Sequence, residues 1–145
     1  NGNNLDIYED GLESRDFVYI DDVIDATILG IEKEEANGEV FNVGSGTATT
    51  VKEIAESLKK FYDSDISISI SGKYRLGDIR HNFADLNKAN ALLGYTPKFN
   101  FHQGIAKFVS WVKTQETKED KYENTVQELK DKGLMKWEII YSYLS

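Results

Sequence analysis

Segments typical of β-strands alternate along the chain with segments typical of amphipathic helices, and this alternation most limits what the chain can fold into. The strand segments are rich in β-branched, aliphatic and aromatic residues, or alternate between apolar and polar positions. They are Leu5–Tyr8, Arg15–Ile20, Glu39–Val43 and Ile66–Ile70. Strands separated by helices are typical of an α/β fold, and the pattern predicts one α/β unit.

Helix start and stop signals stand between and after these strands. Four amphipathic helices are predicted, and each start is marked by a side chain that can accept a hydrogen bond from the first turn. The predicted starts are Asp21 or Asp22, the Thr50–Glu53 capping box, Asp85, and Asn100 with Gln103. Gly94 is predicted to end the third helix, because Pro97 follows it at the expected distance.

Composition excludes several classes of function. The 145 residues carry a net charge of -8, which argues against a general surface for nucleic acid or anionic membranes. No apolar run is long enough to cross a bilayer. The chain has no Cys, and its two histidines lack a ligand spacing, so no metal site is predicted.

The composition changes after Lys113. A charged stretch, TQETKEDKYEN, leads into a helical stripe of Tyr122, Val126 and Leu129 that ends at Gly133, and WEIIYSYLS follows. We therefore divide the chain into an α/β unit at 1–114 and a charged amphipathic helical tail at 115–145. The opening NGNN and the position of the only Met, at 135, lead us to expect the downstream part of a longer protein.

A short basic segment, KYRLGDIRHNFAD, stands out in this acidic chain. By the simplest interpretation, Arg75 and Arg80 form surface pairs with Asp78 and Asp85, and His81 is a structural histidine. Arg15, at the start of its strand, is by the same reasoning a solvated charge.

Two further features have simple structural interpretations. The Gly44–Gly46 loop lacks the third glycine of a G-x-G-x-x-G fingerprint, since Thr49 stands there. The loop is therefore predicted to be a tight turn rather than a nicotinamide site. The paired aromatics are predicted to be core residues: Phe17, Tyr19, Phe108 and Trp111.

In order, four segments resemble one protein family. They are RDFVYIDDVIDA, EVFNVGSGTATTVKEIAESL, YRLGDIRHNFADLNKANALLGYTP and a helix ending in FVSWVK. Over residues 3–114 the chain resembles the C-terminal portion of extended short-chain dehydrogenase/reductase proteins, in particular NAD-dependent nucleotide-sugar epimerases and dehydratases. The resemblance implies the α/β, substrate-binding portion of an extended Rossmann-type enzyme, without the N-terminal cofactor-binding half.

The resemblance implies roles for five residues. Arg15 and Arg75 would hold a pyrophosphate, because planar guanidinium groups match its oxygens. Asp78 would accept hydrogen bonds from the ribose hydroxyls, the strand ending at Tyr8 would meet the base, and Asn82 would lie near the C2 substituent of the sugar. One departure is that Glu9 replaces a glycine common in the family. No catalytic, cofactor-binding or metal residue is expected in this chain.

The implied activity is that of a UDP-hexose 4-epimerase of the cytoplasm, with a UDP-N-acetylhexosamine as the expected substrate. NAD would be bound by the missing half, so the chain alone should be inactive. In the family the strand equivalent to Glu39–Val43 joins the sheet of the cofactor domain. We therefore expect self-association or pairing with the missing half, since that strand would otherwise be unpaired.

Three alternatives stay open. The first is a dTDP-glucose 4,6-dehydratase of the same family. The second is a non-catalytic nucleotide-binding module, since no Y-x-x-x-K pair stands at a suitable place. The third is an interaction protein in which Tyr122, Val126 and Leu129 form a docking stripe for a partner.

Overall fold

The computed structural model describes residues 2–137, and these form an α/β arrangement of short strands and helices. In chain order the elements are β1 (Leu5–Ile7), β2 (Ser14–Asp16), α1 (Ile20–Glu32), β3 (Ala48–Thr50), α2 (Val51–Tyr62), β4 (Ile68–Ile70), β5 (Lys73–Arg75), α3 (Asn87–Leu93), α4 (Phe101–Val112), α5 (Tyr122–Asp131) and β6 (Met135–Trp137). The predicted α/β class is therefore confirmed. Most of the apolar stretch WEIIYSYLS lies outside the described residues.

The strands of the described chain pair in twos. β1 runs parallel to β4, with Leu5 opposite Ile68. β2 is antiparallel to β3, with Arg15 opposite Thr49, and β5 is antiparallel to β6, with Arg75 opposite Met135. The parallel pair needs a crossover, which includes α2, as in other α/β units.

Two capping boxes and one glycine stop fix helix ends as predicted. Thr50 Oγ1 accepts from the Glu53 N–H at 3.2 Å, and Glu53 Oε2 accepts from the Thr50 N–H at 2.8 Å. The same reciprocal pair joins Asn100 and Gln103, at 2.9 and 3.0 Å. Gly94 ends α3 with φ at 70°, in the left-handed region that favours glycine.

Two predicted helix starts are wrong. The N-cap of α1 is Tyr19, and neither Asp21 nor Asp22 caps that helix. Asp22 instead accepts hydrogen bonds from the backbone N–H groups of Lys98, at 2.8 Å, and Phe99, at 3.1 Å. The carboxylate satisfies a distant loop that has no strand partner, which a local sequence signal cannot reveal.

The third helix starts later than predicted. Its N-cap is Leu86, with no capping hydrogen bond from a side chain. Asp85 still accepts a bond, from the Asn87 N–H at 2.9 Å, and so stabilises the turn before the helix.

All four predicted strands are shorter than expected or missing among the described residues, and Leu5–Tyr8 is a strand only as far as Ile7. Arg15–Ile20 is extended and paired only as far as Asp16, and Ile66–Ile70 is paired only from Ile68. Glu39–Val43 forms no strand, and Val40 and Val43 are exposed. A strand is stabilised by the backbone of its neighbour, and the described residues provide no neighbour for 39–43.

A small apolar core joins α1 to α3. Ala26, Ala89, Leu93 and Tyr95 are buried together, and Phe41 packs against them. The Tyr95 hydroxyl donates to the Gly44 carbonyl at 2.8 Å, so the buried phenol also holds the Gly44–Gly46 loop.

Three of the four aromatic residues predicted as core are exposed. Phe17, Phe108 and Trp111 border a groove of about 680 Å³, and Trp111 is 58% exposed. Helix α4 buries Ile105 and Val109 instead, so only one side of its wide apolar stripe is covered. Tyr19 is partly buried, against Phe99 at 4.8 Å between ring centroids.

No helix within residues 2–137 is both long enough and apolar enough to cross a membrane.

We predict that Asp22→Asn destabilises the chain by about 1–3 kcal/mol, because an amide offers one acceptor oxygen where the carboxylate uses two. Asp22 is 1% exposed, so water cannot replace the lost bond. Urea unfolding measures the change. Asp21→Asn, at the exposed neighbouring position, is the matched control and should leave stability unchanged. Equal effects from the two variants would contradict the prediction.

Candidate functional site

A carboxylate joins the two arginines for which a pyrophosphate role is expected. Asp78 Oδ1 lies 2.6 Å from Arg15 Nη2, and Asp78 Oδ2 lies 2.6 Å from Arg75 Nη2. Arg15 comes from β2 and Arg75 from β5. Arg15 Nη1 also donates to the carbonyls of Ser14, at 2.9 Å, and Arg80, at 3.2 Å. The structure therefore brings three of the five expected residues into direct contact.

The turn after β5 creates this geometry. The Asp78 N–H donates to the Arg75 carbonyl at 3.2 Å, and Gly77 has φ at 82°. This closes a tight turn that directs the carboxylate of Asp78 back to Arg75, as the sequence spacing predicted. The contact with Arg15 needs the tertiary fold, since 63 positions separate the two residues.

The arginine cluster, Arg15–Asp78–Arg75, carries a net charge of about +1 at neutral pH. Burial alone would raise the pKa of Asp78, but its hydrogen bond to Arg75 and the charges of Arg75 and Arg15 outweigh burial and lower it. Each guanidinium has five N–H donors, and a bond to Asp78 uses only part of them. The half-exposed Arg75 and the accessible Arg15 can therefore receive an anion.

Tyr8 directly follows β1. The next residue, Glu9, donates its backbone N–H to the Lys73 carbonyl at 2.7 Å, which brings Tyr8 beside β5. The Tyr8 hydroxyl lies 3.1 Å from the Tyr122 hydroxyl. A residue of the tail therefore reaches the strand for which a base contact is expected.

Asn82 lies beside β2. Its backbone N–H donates to the Ser14 carbonyl at 3.1 Å, and its side chain is exposed. The neighbouring His81 places Nδ1 2.8 Å from Ser14 Oγ, a contact consistent with the structural interpretation of this histidine. Both contacts fasten the basic segment alongside Arg15.

The predicted ion pair between Arg80 and Asp85 is wrong, because Arg80 has other partners. It contacts Glu9 at 2.9 Å, Asp10 at 2.6 Å and Glu13 at 3.2 Å. The turn at Glu9 bends the chain so that these carboxylates converge, and Glu9 itself has φ at 49°. Glu9 therefore keeps the left-handed conformation that a glycine would adopt easily, and its side chain binds Arg80.

Glu13 is the buried member of this Arg80 cluster. It is 7% exposed, and burial, a hydrogen bond with Glu9 and the nearby carboxylates raise the pKa of Glu13 to about 7. Arg80 contacts both Glu13 and Asp10, and its hydrogen bond and charge lower the pKa of Asp10. The pKa values of Glu13 and Asp10 are therefore shifted in opposite directions within one cluster.

Asp16 is a structural residue that the sequence interpretation missed. Asp16 Oδ1 accepts from Ser45 N at 2.7 Å and Ser45 Oγ at 2.6 Å, and Oδ2 accepts from Gly46 N at 2.9 Å and Ala84 N at 3.2 Å. Burial would raise the pKa of Asp16, but these bonds lower it. The only sequence signal is an acid next to Arg15 in an otherwise apolar segment.

The Gly44–Gly46 loop does not fit the phosphates of a dinucleotide. Its Ser45 and Gly46 N–H groups, which could face an anion, already bind the Asp16 carboxylate. A Cβ at Gly44 would lie 2.7 Å from Ala84 Cβ, so glycine is required there for close packing. Among residues 2–137, moreover, no group of three or more acids and histidines could hold a metal ion.

The chain matches a family of known proteins over most of its length. The sequence profile described as GDP-mannose 4,6 dehydratase matches residues 2–108. The dTDP-L-rhamnose 4-epimerase of Burkholderia thailandensis is 35% identical over 108 residues, which are 74% of this chain and 30% of that protein. This chain thus spans about a third of the length of such relatives.

Solved structures agree with the profile. The UDP-glucose 4-epimerase of Thermotoga maritima, solved with UDP-glucose, has a TM-score of 0.67 and 36% identity, over 77% of this chain and 35% of that one. The dTDP-glucose 4,6-dehydratase of Bacillus anthracis, solved in complex with NAD, has a TM-score of 0.68 and 27% identity, over 79% of this chain and 36% of that one.

We predict that Glu13 makes the free energy of unfolding fall as the pH rises. A carboxyl group whose pKa is raised to about 7 in the folded chain stabilises the fold while protonated. That contribution is complete below about pH 4.5 and lost by about pH 7, and it is at most about 3 kcal/mol. Asp10, Asp16 and Asp78 act in the opposite direction at lower pH, because their pKa values are lowered.

Urea unfolding at pH 5 and pH 8 measures this effect. Glu13→Gln should remove most of the fall between the two pH values, whereas Glu56→Gln, at an exposed glutamate, should keep it. An unchanged pH slope in Glu13→Gln would show that another group is responsible.

Proposed function

Because the chain belongs to the family of NAD-dependent nucleotide-sugar epimerases and dehydratases, we propose that it is the nucleotide-binding portion of a nucleotide-sugar 4-epimerase. The contact of Arg15 and Arg75 through Asp78 is the observation that carries this proposal. It combines two guanidinium groups for a diphosphate with an acid that can accept from a ribose diol.

The substrate that we propose is a UDP-hexose, and more narrowly a UDP-N-acetylhexosamine. UDP-sugars appear with solved relatives, such as the Thermotoga epimerase. The exposed, modest side chain of Asn82 is consistent with space for an N-acetyl group at C2. Tyr8 would contribute its strand to the base.

In the parent protein, NAD would supply transient oxidation at C4 of the sugar. Relatives of the chain are solved with NAD, and the Gly44–Gly46 loop does not fit it, so another part of the parent would bind the cofactor. This chain would hold the diphosphate at one end and leave the hexose free to turn. Binding of the non-reacting part of the substrate thus positions the reacting centre.

Alone, the chain would be inactive. We also propose a cytoplasmic location, on the basis of the family resemblance.

We propose that α1 faces the cofactor-binding part of the parent. Ile20, Ile24, Ile28 and Ile31 follow one another at helical spacing and are all exposed. The unpaired segment 39–43 adds the exposed Val40 and Val43. The relatives are about three times as long as this chain, so they contain a part that could cover this stripe. In isolation the stripe would favour self-association.

We predict that the chain binds UDP with a dissociation constant of about 1 mM or tighter, equivalent to about 4 kcal/mol. Isothermal calorimetry measures it. Arg15→Ala and Arg75→Ala should each weaken binding at least tenfold, because each removes a charged donor to the diphosphate. Lys98→Ala, at an exposed cation elsewhere, is the control. Uridine should bind more weakly and be insensitive to both arginine variants.

UDP binding that survives both arginine substitutions would contradict the proposed site. No detectable binding at several millimolar would contradict the proposal that this chain holds the diphosphate by itself.

We predict that the exposed isoleucine stripe of α1 causes the isolated chain to self-associate. The chain alone should show a solution mass above its monomer mass of 16.5 kDa by light scattering at high concentration. Ile28→Asp should shift it towards the monomer, because a charge in an apolar contact is costly. Leu12→Asp, at an exposed leucine away from α1, is the matched control. A monomer at all concentrations, or equal effects of both variants, would count against this surface.

A further inference from the structure

Strand β6 of the tail pairs with the strand that carries Arg75. Met135 stands opposite Arg75, and the Leu76 N–H donates to the Leu134 carbonyl at 2.8 Å. Met135 is 5% exposed, so its side chain is covered by the rest of the chain. Leu134 and Met135 lie outside the region 2–108 that matches the family, whereas their partners Arg75 and Leu76 lie inside it.

Helix α5 fastens the tail to β1 as well. Val126 is buried, and the Tyr122 hydroxyl lies 3.1 Å from the Tyr8 hydroxyl and 3.4 Å from Asp6 Oδ2. Before the helix, Asp120 accepts from Asn3 Nδ2 at 2.6 Å. The tail therefore contacts both Tyr8 and the Arg75 strand, which are two parts of the proposed nucleotide site.

We propose that strand β6 is a positioning element for the diphosphate site. Strand β5 has only three residues, and the turn that follows it carries Asp78. A strand this short needs a neighbour to stay ordered. With β6 in place, the backbone at Arg75 is held before a ligand arrives, so less conformational entropy is lost on binding. This role rests on the proposed function of the Arg15–Asp78–Arg75 cluster.

The pairing has a residue at which it can be broken selectively. In an antiparallel pair, bonded positions alternate, so the bond at Leu76 and Leu134 implies another between Tyr74 and Lys136. Lys136→Pro removes that backbone donor, because proline has no N–H. Lys136→Ala keeps the donor and removes only an exposed side chain, so it is the matched control.

The test follows two carboxyl groups of the full chain by carbon-13 NMR titration. In Lys136→Pro the pKa of Asp78 should rise towards its ordinary value, because Arg75 is no longer held beside it. The pKa of Asp16 should stay low, since its partners Ser45, Gly46 and Ala84 do not involve the tail. Lys136→Ala should match the unmodified chain at both groups.

UDP titration of the same variants is the second readout. Binding should weaken at least fivefold in Lys136→Pro and remain unchanged in Lys136→Ala. A folded Lys136→Pro chain with the original Asp78 titration and UDP affinity would overturn the role of β6. If the pKa of Asp16 also rises to its ordinary value in Lys136→Pro, that variant has unfolded. In that case Met135→Ala, which keeps every backbone donor and removes only a buried side chain of β6, is tested in place of Lys136→Pro under the same criteria.

The two proposals fail separately. If the unmodified chain binds no UDP but Lys136→Pro changes the Asp78 titration alone, β6 orders the cluster and the nucleotide assignment is wrong. If UDP binds through Arg75 and no tail variant alters either readout, the nucleotide site stands and the positioning role is wrong.

Discussion

The rest of the described structure depends on the hydrogen bonds that the Asp16 carboxylate accepts. It receives hydrogen bonds from the Ser45 and Gly46 loop and from Ala84, so it joins two segments that are far apart in the chain. The Ala84 segment continues the basic segment that carries Arg75 and Asp78. Next to Asp16 in sequence stands Arg15, which completes the cluster. The residue that organises the loops thus also determines where β2 presents its arginine.

The buried Asp22 and the half-buried Asp16 satisfy backbone groups that longer strands would otherwise pair. The described strands have three residues each, and their ladders satisfy few backbone groups. Asp22 binds two N–H groups of the loop before α4, as Asp16 does for the loop after residue 43. A carboxylate can accept several bonds and is therefore suited to irregular backbone. Within residues 2–137, every buried polar side-chain atom has a partner.

The structure bears unequally on the alternative functions. Of the stripe expected to dock a partner, Val126 is buried, Leu129 is half-buried, and Tyr122, although 40% exposed, contacts Tyr8. This arrangement favours a tail that serves the proposed nucleotide site over a tail that recruits another protein. A dTDP-sugar dehydratase would use the same arginines, because the diphosphate is common to both substrates. A non-catalytic nucleotide module would use them too, so the arginine cluster supports nucleotide binding more directly than it supports a reaction.

The sequence by itself determined the family, the α/β class, both capping boxes and the pairing of Arg75 with Asp78. These features depend on residues a few positions apart or on an ordered set of motifs, and both can be recognised without tertiary contacts. Only the tertiary structure decided that Arg15 joins Asp78, that Arg80 binds Glu9, Asp10 and Glu13, and that β6 pairs with β5. The exposure of Trp111 and the unpaired segment 39–43 belong here too, because an apolar pattern shows what a segment can bury and not whether a neighbour covers it. Local hydrogen bonding is encoded within a few residues, whereas burial and long-range ion pairs depend on which surfaces the whole fold brings together.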